Sequence, residues 1–261
     1  MSAELQNDAA RETPRGPEHV VILGLGPSVM AYLELTKRLG ARRAYSDEVW
    51  GINALGDIIQ CDRVFHMDDV KVQELRAANR PDGNIAAMIK ALKQHPGPVY
   101  TSVVRDGYPG FVPFPLAEVL SGRYDSNGTP YFNSTAAYAI AFAIHIGVKR
   151  ISLFGIDYTL PNVHSGERGR ACCEFWLGIA AARGIAVSVP EQTSLLDACA
   201  PERELLYGYD CVDVDIEAAP DGAILVSMAE RAEQPTAEDI ERRYDHTKHP
   251  NRLMANHGEQ Q

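Results

Sequence analysis

The sequence predicts a single α/β domain built on a doubly wound, mainly parallel sheet with helices on both faces. Short apolar runs of strand length alternate with longer segments of helical period along most of the chain. A glycine turn follows the first run, and polar residues recur where later runs end. Parallel strands end at one edge of their sheet, and ligands bind beyond that edge. We therefore expect a binding site there.

Composition limits the kinds of partner. The 261 residues, 45% of them hydrophobic and 23% charged, suffice for one sizeable core. The formal net charge of -10 disfavours nucleic acid and anionic membranes as partners. The first seventeen residues are polar and no apolar run is long enough to cross a bilayer, so we expect a cytoplasmic protein with no transmembrane segment.

The cysteines indicate neither a zinc site nor a disulfide framework, because they are odd in number and form no CxxC pair. We expect all of them to be buried as small apolar side chains. They are Cys61, Cys172, Cys173, Cys199 and Cys211.

Polar composition at both ends predicts flexible tails. Residues 1–18 have no apolar period and are expected to be disordered, residues 19–227 form the domain, and residues 228–261 form a polar tail. The tail contains a basic stretch, Arg242 to Arg252, which is expected to be solvated and only weakly suggests docking.

The first unit reads as strand, glycine turn and helix. His19–Leu23 has the pattern of a buried strand, Gly24–Ser28 is the turn, and an amphipathic helix runs to about Leu39. Glycines let the backbone approach an anion, and the next helix offers free N–H groups. The turn lacks the third glycine of the dinucleotide fingerprint and the lysine of a P-loop. A turn that merely packs the helix on the strand stays an alternative.

Polar side chains follow the next two predicted strands. Glu48–Ile52 ends at Asn53, and Arg63–Met67 ends at Asp68 and Asp69. The two aspartates are interpreted either as the N-cap of a helix starting near Val70 or as part of a magnesium site that would need a third oxygen ligand.

The chain then continues to a fourth strand and a long loop. Val70–Gln94 is helical with a break at Arg80–Gly83, and Pro98–Ser102 is a strand. Arg105–Pro115 is predicted to be a loop because it is rich in glycine and proline. It covers a ligand or forms a packed connection. Residues 121–130 are polar and are predicted to be another loop.

The stretch from Asn133 to His164 is predicted to organise the domain. Thr135–Gly147 is apolar on nearly every side, which indicates a helix buried on several faces. Ile151–Phe154 is a buried strand that ends at Gly155-Ile156-Asp157. Ser134 and Thr135, at the helix start, would offer hydroxyls and N–H groups to an anion.

Four further features complete the prediction. Glu167–Arg183 is a long helix, Ile185–Val189 is a strand, and Thr193–Asp197 places hydroxyls at the end of that strand. Val212–Asp215 and Ala223–Val226 are predicted to form a terminal strand pair.

Five of these motifs, in this order, resemble the bacterial sialyltransferases of glycosyltransferase family 42. They are Gly24-Leu-Gly-Pro-Ser28, Asn53, Ser134-Thr135, Lys149-Arg-Ile-Ser-Leu-Phe-Gly-Ile-Asp157, and His164-Ser165 ahead of Glu174-Phe175. The resemblance covers roughly His19 to Leu196. A more distant resemblance is to the MptE-like 6-hydroxymethylpterin diphosphokinase family, which shares the GPS loop and the Gly-Ile-Asp strand end. The position of His164-Ser165 favours the transferase.

The resemblance to family 42 implies a Rossmann-like fold and a CMP-activated sugar donor, with a glycan or other hydroxyl acceptor. It implies direct displacement with His164 as general base, and no metal or other cofactor. An imidazole of ordinary pKa suits this role at neutral pH. The resemblance also implies nucleotide binding by Gly24, Gly26, Pro27, Ser28, Asn53, Ser134 and Thr135. A homo-oligomer is compatible with the sequence.

The chain departs from the family pattern at two places. Leu25 replaces the loop asparagine, and the lid before the histidine is shortened to Tyr158–Val163, with a single tyrosine one position early. We expect Arg168 or Arg170, predicted in the first turn of the next helix, to replace the lost donors to the leaving phosphate.

Two other functions stay open from the sequence. One is a magnesium-dependent pyrophosphokinase in which Asp68, Asp69 and Asp157 hold the metal against ATP. The other is a catalytically silent relative that binds a nucleotide or a protein partner. Dependence of activity on magnesium separates the two enzymes.

Overall fold

The computed structural model describes residues 16–121, 130–158, 163–200, 212–218 and 224–230, together with 236, 238 and 242. It divides into two compact units, residues 1–199 and 200–261. The domain limits predicted from the sequence, at residues 18 and 227, stay predictions. Most of the segment predicted to be disordered, residues 1–18, lies outside the described residues, as do most of the predicted loop at 121–130 and most of the C-terminal tail. Glu18 is described, and its carbonyl accepts from the N–H groups of Lys149 and Arg150.

The first unit contains a seven-stranded sheet in which every strand pair is parallel. Its strand order is β5-β4-β3-β2-β1-β6-β7. The strands are β1 His19–Leu23, β2 Glu48–Ile52, β3 Arg63–Phe65, β4 Val99–Thr101, β5 Phe111–Pro113, β6 Arg150–Phe154 and β7 Ala186–Ser188. The predicted fold class is thus confirmed: the sheet is doubly wound and Rossmann-like.

Seven described helices connect these strands. They are α1 Val29–Leu39, α2 Leu55–Ile58, α3 Val70–Asn79, α4 Asn84–Gln94, α5 Leu116–Ser121, α6 Thr135–His145 and α7 Val163–Ala182. The predicted break at Arg80–Gly83 separates α3 from α4. Helix α7 starts at Val163 rather than at the predicted Glu167, so Arg168 and Arg170 lie beyond its first turn.

Alternate residues of the central strands face two separate cores. On β1, Val20 and Ile22 belong to a core shared with α6 and α7, whereas Val21 and Leu23 belong to a core shared with α1, α3 and α4. All four side chains are fully buried. Helices therefore cover both faces of the sheet, as expected for parallel strands that read as continuous apolar runs.

Helix α6 is deeply buried in the first core, as its apolar sequence predicts. Eight of its eleven residues, Ala136, Ala137 and Ala139 through Ile144, are buried. Small alanines bring the helix close to the sheet, and Phe142 packs against Trp50, Phe65 and Tyr100.

The glycine- and proline-rich stretch after β4 contains an element that the sequence analysis missed. Phe111–Pro113 forms β5, which pairs with β4 at the edge of the sheet. Proline is tolerated in an edge strand because no neighbouring strand needs a hydrogen bond from its position. Tyr108 and Phe111 are buried, and the Tyr108 hydroxyl donates to Glu74 at 2.8 Å. Of the two alternatives for Arg105–Pro115, the buried aromatic side chains favour a packed connection.

The described cysteines are free thiols. Cys61, Cys172 and Cys173 are buried, as expected, but Cys199 is exposed and corrects that prediction. Cys211 lies outside the described residues.

The second unit contains an antiparallel strand pair, β8 Val212–Ala218 and β9 Ile224–Glu230, whose register runs from Val212 opposite Glu230 to Ala218 opposite Ile224. The predicted strand pair is confirmed, with both strands longer than expected.

No helix among the described residues is long and apolar enough to cross a membrane.

An ion pair at the amino end of the sheet yields a stability prediction. Arg63 donates to Glu48 at 2.6 Å and 3.1 Å and to the Tyr100 hydroxyl at 3.0 Å, and its guanidinium lies 5.7 Å from the centre of the Trp50 ring. We expect Arg63→Ala to lower the free energy of unfolding by about 2 kcal/mol, since it leaves a half-buried carboxylate without its partner. Chemical denaturation measures this, with Arg38→Ala on the exposed face of α1 as control.

The same pair has a pH signature. Burial raises the pKa of Glu48, but hydrogen bonds from Arg63 and Trp50, together with the charges of Arg63 and Arg43, outweigh burial and hold that pKa below its ordinary value of 4.5. A carboxyl whose pKa is lower in the folded state contributes stability above its unfolded pKa, and this contribution declines as the pH falls through the folded value. We expect the difference between wild type and Arg63→Ala to shrink below about pH 4.5. A difference that is constant down to pH 3 would contradict the pairing.

Candidate functional site

A cleft opens at the carboxyl edge of the sheet, between the ends of β1 and β6. Strand order reverses at this point, because β2 to β5 lie on one side of β1 and β6 and β7 on the other. Such switch points bind ligands in open α/β sheets. The cleft has a volume of about 360 Å³. Its lining residues are Gly24, Leu25, Gly26, Pro27, Ile52, Ser134, Ala136, Gly155, Ile156, Asp157 and Tyr158.

The glycines of the two strand-end loops are required by how closely these loops approach. The Gly24 N–H donates to the Phe154 carbonyl at 2.9 Å, and the Gly26 N–H donates to the Gly155 carbonyl at 2.7 Å. A Cβ on Gly24 or on Gly155 would overlap the carbonyl of the other, and one on Gly26 would overlap the carboxylate of Asp157. These glycines therefore serve first to bring the two loops together.

Hydrogen bonds between Ser28 and Asp157 join the two loops at the floor of the cleft. The Asp157 carboxylate accepts from the Ser28 N–H and from the Ser28 hydroxyl, both at 2.8 Å. The same hydroxyl accepts from the Gly155 N–H at 2.7 Å. Ser28 is only 2% exposed, so its polar atoms serve the contact between the β1 and β6 loops. Both carboxylate oxygens of Asp157 are engaged in this contact.

The amino end of α6 forms one wall. Ser134 is the N-cap, and its hydroxyl accepts from the Ala136 N–H at 3.2 Å. Ser134 and Ala136 line the cleft, and Thr135 lies between them as the first helical residue. The helix dipole and the N–H groups of this end favour an anion.

Tyr158 lies on another wall and contacts both α6 and α7. Its hydroxyl is 2.8 Å from the Ser134 hydroxyl and 3.1 Å from the Cys173 sulfur, and its N–H donates to the Ser194 hydroxyl at 3.1 Å. Burial raises the pKa of Tyr158 and raises that of Cys173 to about 12, so both groups stay protonated at neutral pH. From the sequence, Tyr158 is only a displaced lid tyrosine and Cys173 only a buried cysteine, and no local pattern predicts the contact between them.

The loop after β7 is hydrogen-bonded to the backbone of Ile156 and Tyr158, at the end of β6. The Thr193 hydroxyl donates to the Ile156 carbonyl at 3.1 Å, beside the bond from Ser194. The strand-end hydroxyls noted in the sequence therefore fix the backbone that follows β6, and among the described residues neither lines the cleft.

Asn53 lies at the end of β2, next to the cleft residue Ile52. It adopts a left-handed conformation with φ of 51°, which asparagine tolerates better than most residues, and its N–H donates to the Phe65 carbonyl at 2.9 Å. Its side-chain oxygen is buried and has no hydrogen-bond partner among the described residues. An unpaired amide oxygen of this kind is suited to accept from a ligand.

The aspartates considered for magnesium do not fit a metal site. Asp69 caps α3 through the Lys71 N–H at 3.0 Å and pairs with Arg105 at 2.7 Å, so the N-cap interpretation is confirmed. Asp68 is exposed, and Asp157 is engaged by Ser28. No group of three or more acidic, histidine or cysteine side chains in the described part of the chain is arranged to hold a metal ion.

The two candidate arginines of α7 have different surroundings. Arg170 donates from Nε to Glu174 at 2.8 Å and from Nη2 to Asp197 at 2.6 Å, so one edge of its guanidinium is bound by two carboxylates. Arg168 is exposed and donates to the Asn133 side chain at 3.2 Å, immediately before the N-cap Ser134. Arg168 therefore brings a cation to the anion-favouring end of α6, whereas Arg170 is occupied.

This difference predicts unequal effects of alanine substitution. For the glycosyl transfer that the sequence resemblance implies, we expect Arg168→Ala to reduce turnover about tenfold or more, since a charge-assisted donor to the leaving phosphate would be lost. We expect Arg170→Ala to leave turnover nearly unchanged. It should lower the free energy of unfolding by about 1 kcal/mol, because the ion pair between Arg170 and Asp197 joins α7 to the turn at Asp197. Steady-state kinetics and thermal unfolding of the two variants measure this. If Arg168→Ala and wild type have equal rates, Arg168 does not contribute to turnover.

His164 lies in the first turn of α7, whose backbone begins at Val163. Its side chain, and residues 159–162 of the shortened lid, lie outside the described residues. Its role as general base therefore stays a prediction from the sequence.

The chain trace is similar to solved sialyltransferase structures. The sialyltransferase CstII from Campylobacter jejuni, in complex with the substrate analogue cytidine-5'-monophosphate, is 18% identical over 69% of this chain and 82% of that chain, with a TM-score of 0.41. Its complex with CMP-3FNeuAc is 17% identical over 68% and 83%, with a TM-score of 0.43. A variant of the α-2,3/8-sialyltransferase CstII is 15% identical over 86% and 99%, with a TM-score of 0.43.

At such identities a structural likeness concerns the fold and says nothing about the reaction. No protein-family model matches the chain, and no curated protein sequence is significantly similar to it.

Proposed function

We propose that this protein transfers a glycosyl group from a nucleotide-activated sugar, most simply a CMP-linked sugar, to a hydroxyl acceptor. The observation that carries the proposal is the cleft at the switch point, bounded by the Gly24–Ser28 loop and by the amino end of α6. The order of the family 42 motifs along the chain supports it, because those at Gly24–Ser28, Ser134 and Gly155–Asp157 meet at this cleft.

The charge of the cleft favours a donor that leaves as a nucleoside monophosphate. The described lining includes no cation and one anion, Asp157, whose carboxylate accepts from Ser28. Outside the lining, Arg168 donates to Asn133, the residue before the N-cap Ser134. Diphosphates and triphosphates usually need a metal ion or several cations to compensate their charge. A single phosphate at a helix N-terminus with one arginine needs less compensation.

In the proposed reaction the acceptor oxygen attacks the anomeric carbon while His164 takes the hydroxyl proton. The bond between the anomeric carbon and the phosphate oxygen breaks, and its electron pair leaves with the nucleotide. The N–H groups of α6 and the guanidinium of Arg168 would stabilise the charge that develops on the phosphate. Asn53, with its unpaired side-chain oxygen, would accept a hydrogen bond from the nucleotide or the sugar.

A catalytically silent nucleotide-binding protein is the second candidate. The observation that favours it is the short segment between Tyr158 and Val163, which leaves little chain to cover the leaving group. Such a protein would bind the nucleotide at the same cleft and show no turnover.

A thermal-shift panel with CMP, CDP, UDP, GDP and ATP, each with and without magnesium, tests the proposal. A ligand at about one hundred times its dissociation constant stabilises the folded state by about 2.7 kcal/mol, which such an assay detects. We expect CMP to stabilise the protein without magnesium, after which assays with CMP-sugars separate the transferase from the silent binder. Stabilisation by ATP with magnesium alone would overturn the proposal in favour of the pyrophosphokinase.

A further inference from the structure

The Tyr158 ring lies against α7 where that helix has no side chain. A Cβ on Gly169 would lie 2.6 Å from Cε1 of the ring, and one on Gly166 would lie 3.2 Å from the Tyr158 carbonyl oxygen. Glycine is less favourable than alanine inside a helix, so α7 loses helix propensity at both positions. Gly178, on the same helix, provides a contrast, because a Cβ at that position would have no described atom within 4 Å beyond its own helix turn.

The hydroxyl of Tyr158 reaches two helices. It bonds to Ser134, the N-cap of α6, and to Cys173 of α7, whose side chain is fully buried. Hydrogen bonds that are shielded from water hold their partners more firmly than exposed ones. Tyr158 thus joins the end of β6, the amino end of α6 and the body of α7, and it also lines the cleft.

We propose that Tyr158 is a positioning residue that couples the cleft to α7. By holding the first turns of this helix, which contain His164 and Arg168, it sets their place relative to a bound nucleotide. Binding of a nucleotide in the cleft then reduces the local opening of these turns. The effect on catalysis rests on the proposed glycosyl transfer, whereas the mechanical link between the cleft and α7 does not.

The first test compares two glycine substitutions by hydrogen exchange of the protein without ligand. Gly169→Ala places a methyl group against the Tyr158 ring, while Gly178→Ala gains the same helix propensity in open space. We expect Gly169→Ala to speed amide exchange of residues 167–172 and 136–139 by about tenfold, and Gly178→Ala to leave it equal or slower. Equal exchange in the two variants would overturn the positioning role.

The second test uses Tyr158→Phe, which keeps the ring and removes the bonds to Ser134 and Cys173. In wild type we expect saturating CMP to slow exchange of residues 167–172. In Tyr158→Phe we expect CMP to bind and this slowing to be lost, with kcat lowered about tenfold and the donor KM changed less. A merely structural role would lower the unfolding temperature and leave the slowing by ligand unchanged, and that result would overturn the coupling.

The two proposals fail in different ways. A wild-type protein that binds no cytidine nucleotide would overturn the proposed function, while the comparison of Gly169→Ala with Gly178→Ala still decides the positioning role. Normal binding and turnover in Gly169→Ala, with unchanged exchange, would leave the proposed function intact and overturn the coupling.

Discussion

Replacing His164 by alanine is expected to lower the proposed glycosyl transfer by about 10²–10⁴-fold, the range that a general base contributes. The nucleotide should bind as tightly as before, because the described lining of the cleft comes from the β1 and β6 loops and from the start of α6. Initial rates with a CMP-sugar at saturation, together with calorimetric titration of CMP, measure the two quantities separately.

His145→Ala is the matched control for this substitution. His145 is an exposed histidine at the carboxyl end of α6, opposite to the helix end that borders the cleft. It should change neither rate nor affinity. Transfer retained in His164→Ala would remove the histidine from the mechanism, and loss of CMP binding in that variant would place its side chain in the nucleotide site instead.

Much of the fold could be predicted because buried parallel strands leave a strong local signal. His19–Leu23 and Glu48–Ile52 have the predicted bounds, since each is an apolar run that ends at a turn residue. Helix α6 was predicted from its apolar surface, and eight of its residues are buried. In these elements local pattern and tertiary environment agree.

The missed strand shows where local patterns fail. Phe111–Pro113 lies in a stretch whose glycines and prolines indicate a loop, and it becomes a strand only because β4 offers a free edge. The early start of α7 at Val163 is a similar case, because the polar residues before Glu167 carry no apolar period. Both elements depend on tertiary contacts that a sequence window does not contain.

The candidate site could be located from the sequence, but the roles of its residues could not. The strand-end polar residues predicted a site at the carboxyl edge of the sheet, and Gly24, Gly26 and Ser134 line a cleft there. Nucleotide binding by these residues stays a prediction. Ser28 was predicted to bind a nucleotide, yet its polar atoms are used by Asp157 and Gly155, more than one hundred residues away. Such long-range hydrogen bonds leave no trace in local spacing.

Asp157→Asn is expected to have the largest effect on the cleft itself. The carboxylate accepts from the Ser28 N–H and hydroxyl, whereas an asparagine offers one acceptor and must present an NH₂ group to a second donor. A buried donor left unsatisfied costs about 1–3 kcal/mol, more when a charged partner is lost. We expect the free energy of unfolding to fall by about 2–3 kcal/mol and CMP affinity to fall about tenfold.

Asp68→Asn, at an exposed aspartate beyond β3, should change stability by less than about 0.5 kcal/mol and serves as the control. Ser28→Ala and the double variant complete a double-mutant cycle. A coupling energy above about 0.5 kcal/mol between the two substitutions would show that the loss of stability comes from the contact between Asp157 and Ser28. If Asp157→Asn is as stable as Asp68→Asn but no longer responds to ATP and magnesium, the carboxylate serves a bound metal rather than the loop. That outcome would revive the pyrophosphokinase, because the same oxygens cannot hold both Ser28 and a magnesium ion without rearranging the floor of the cleft.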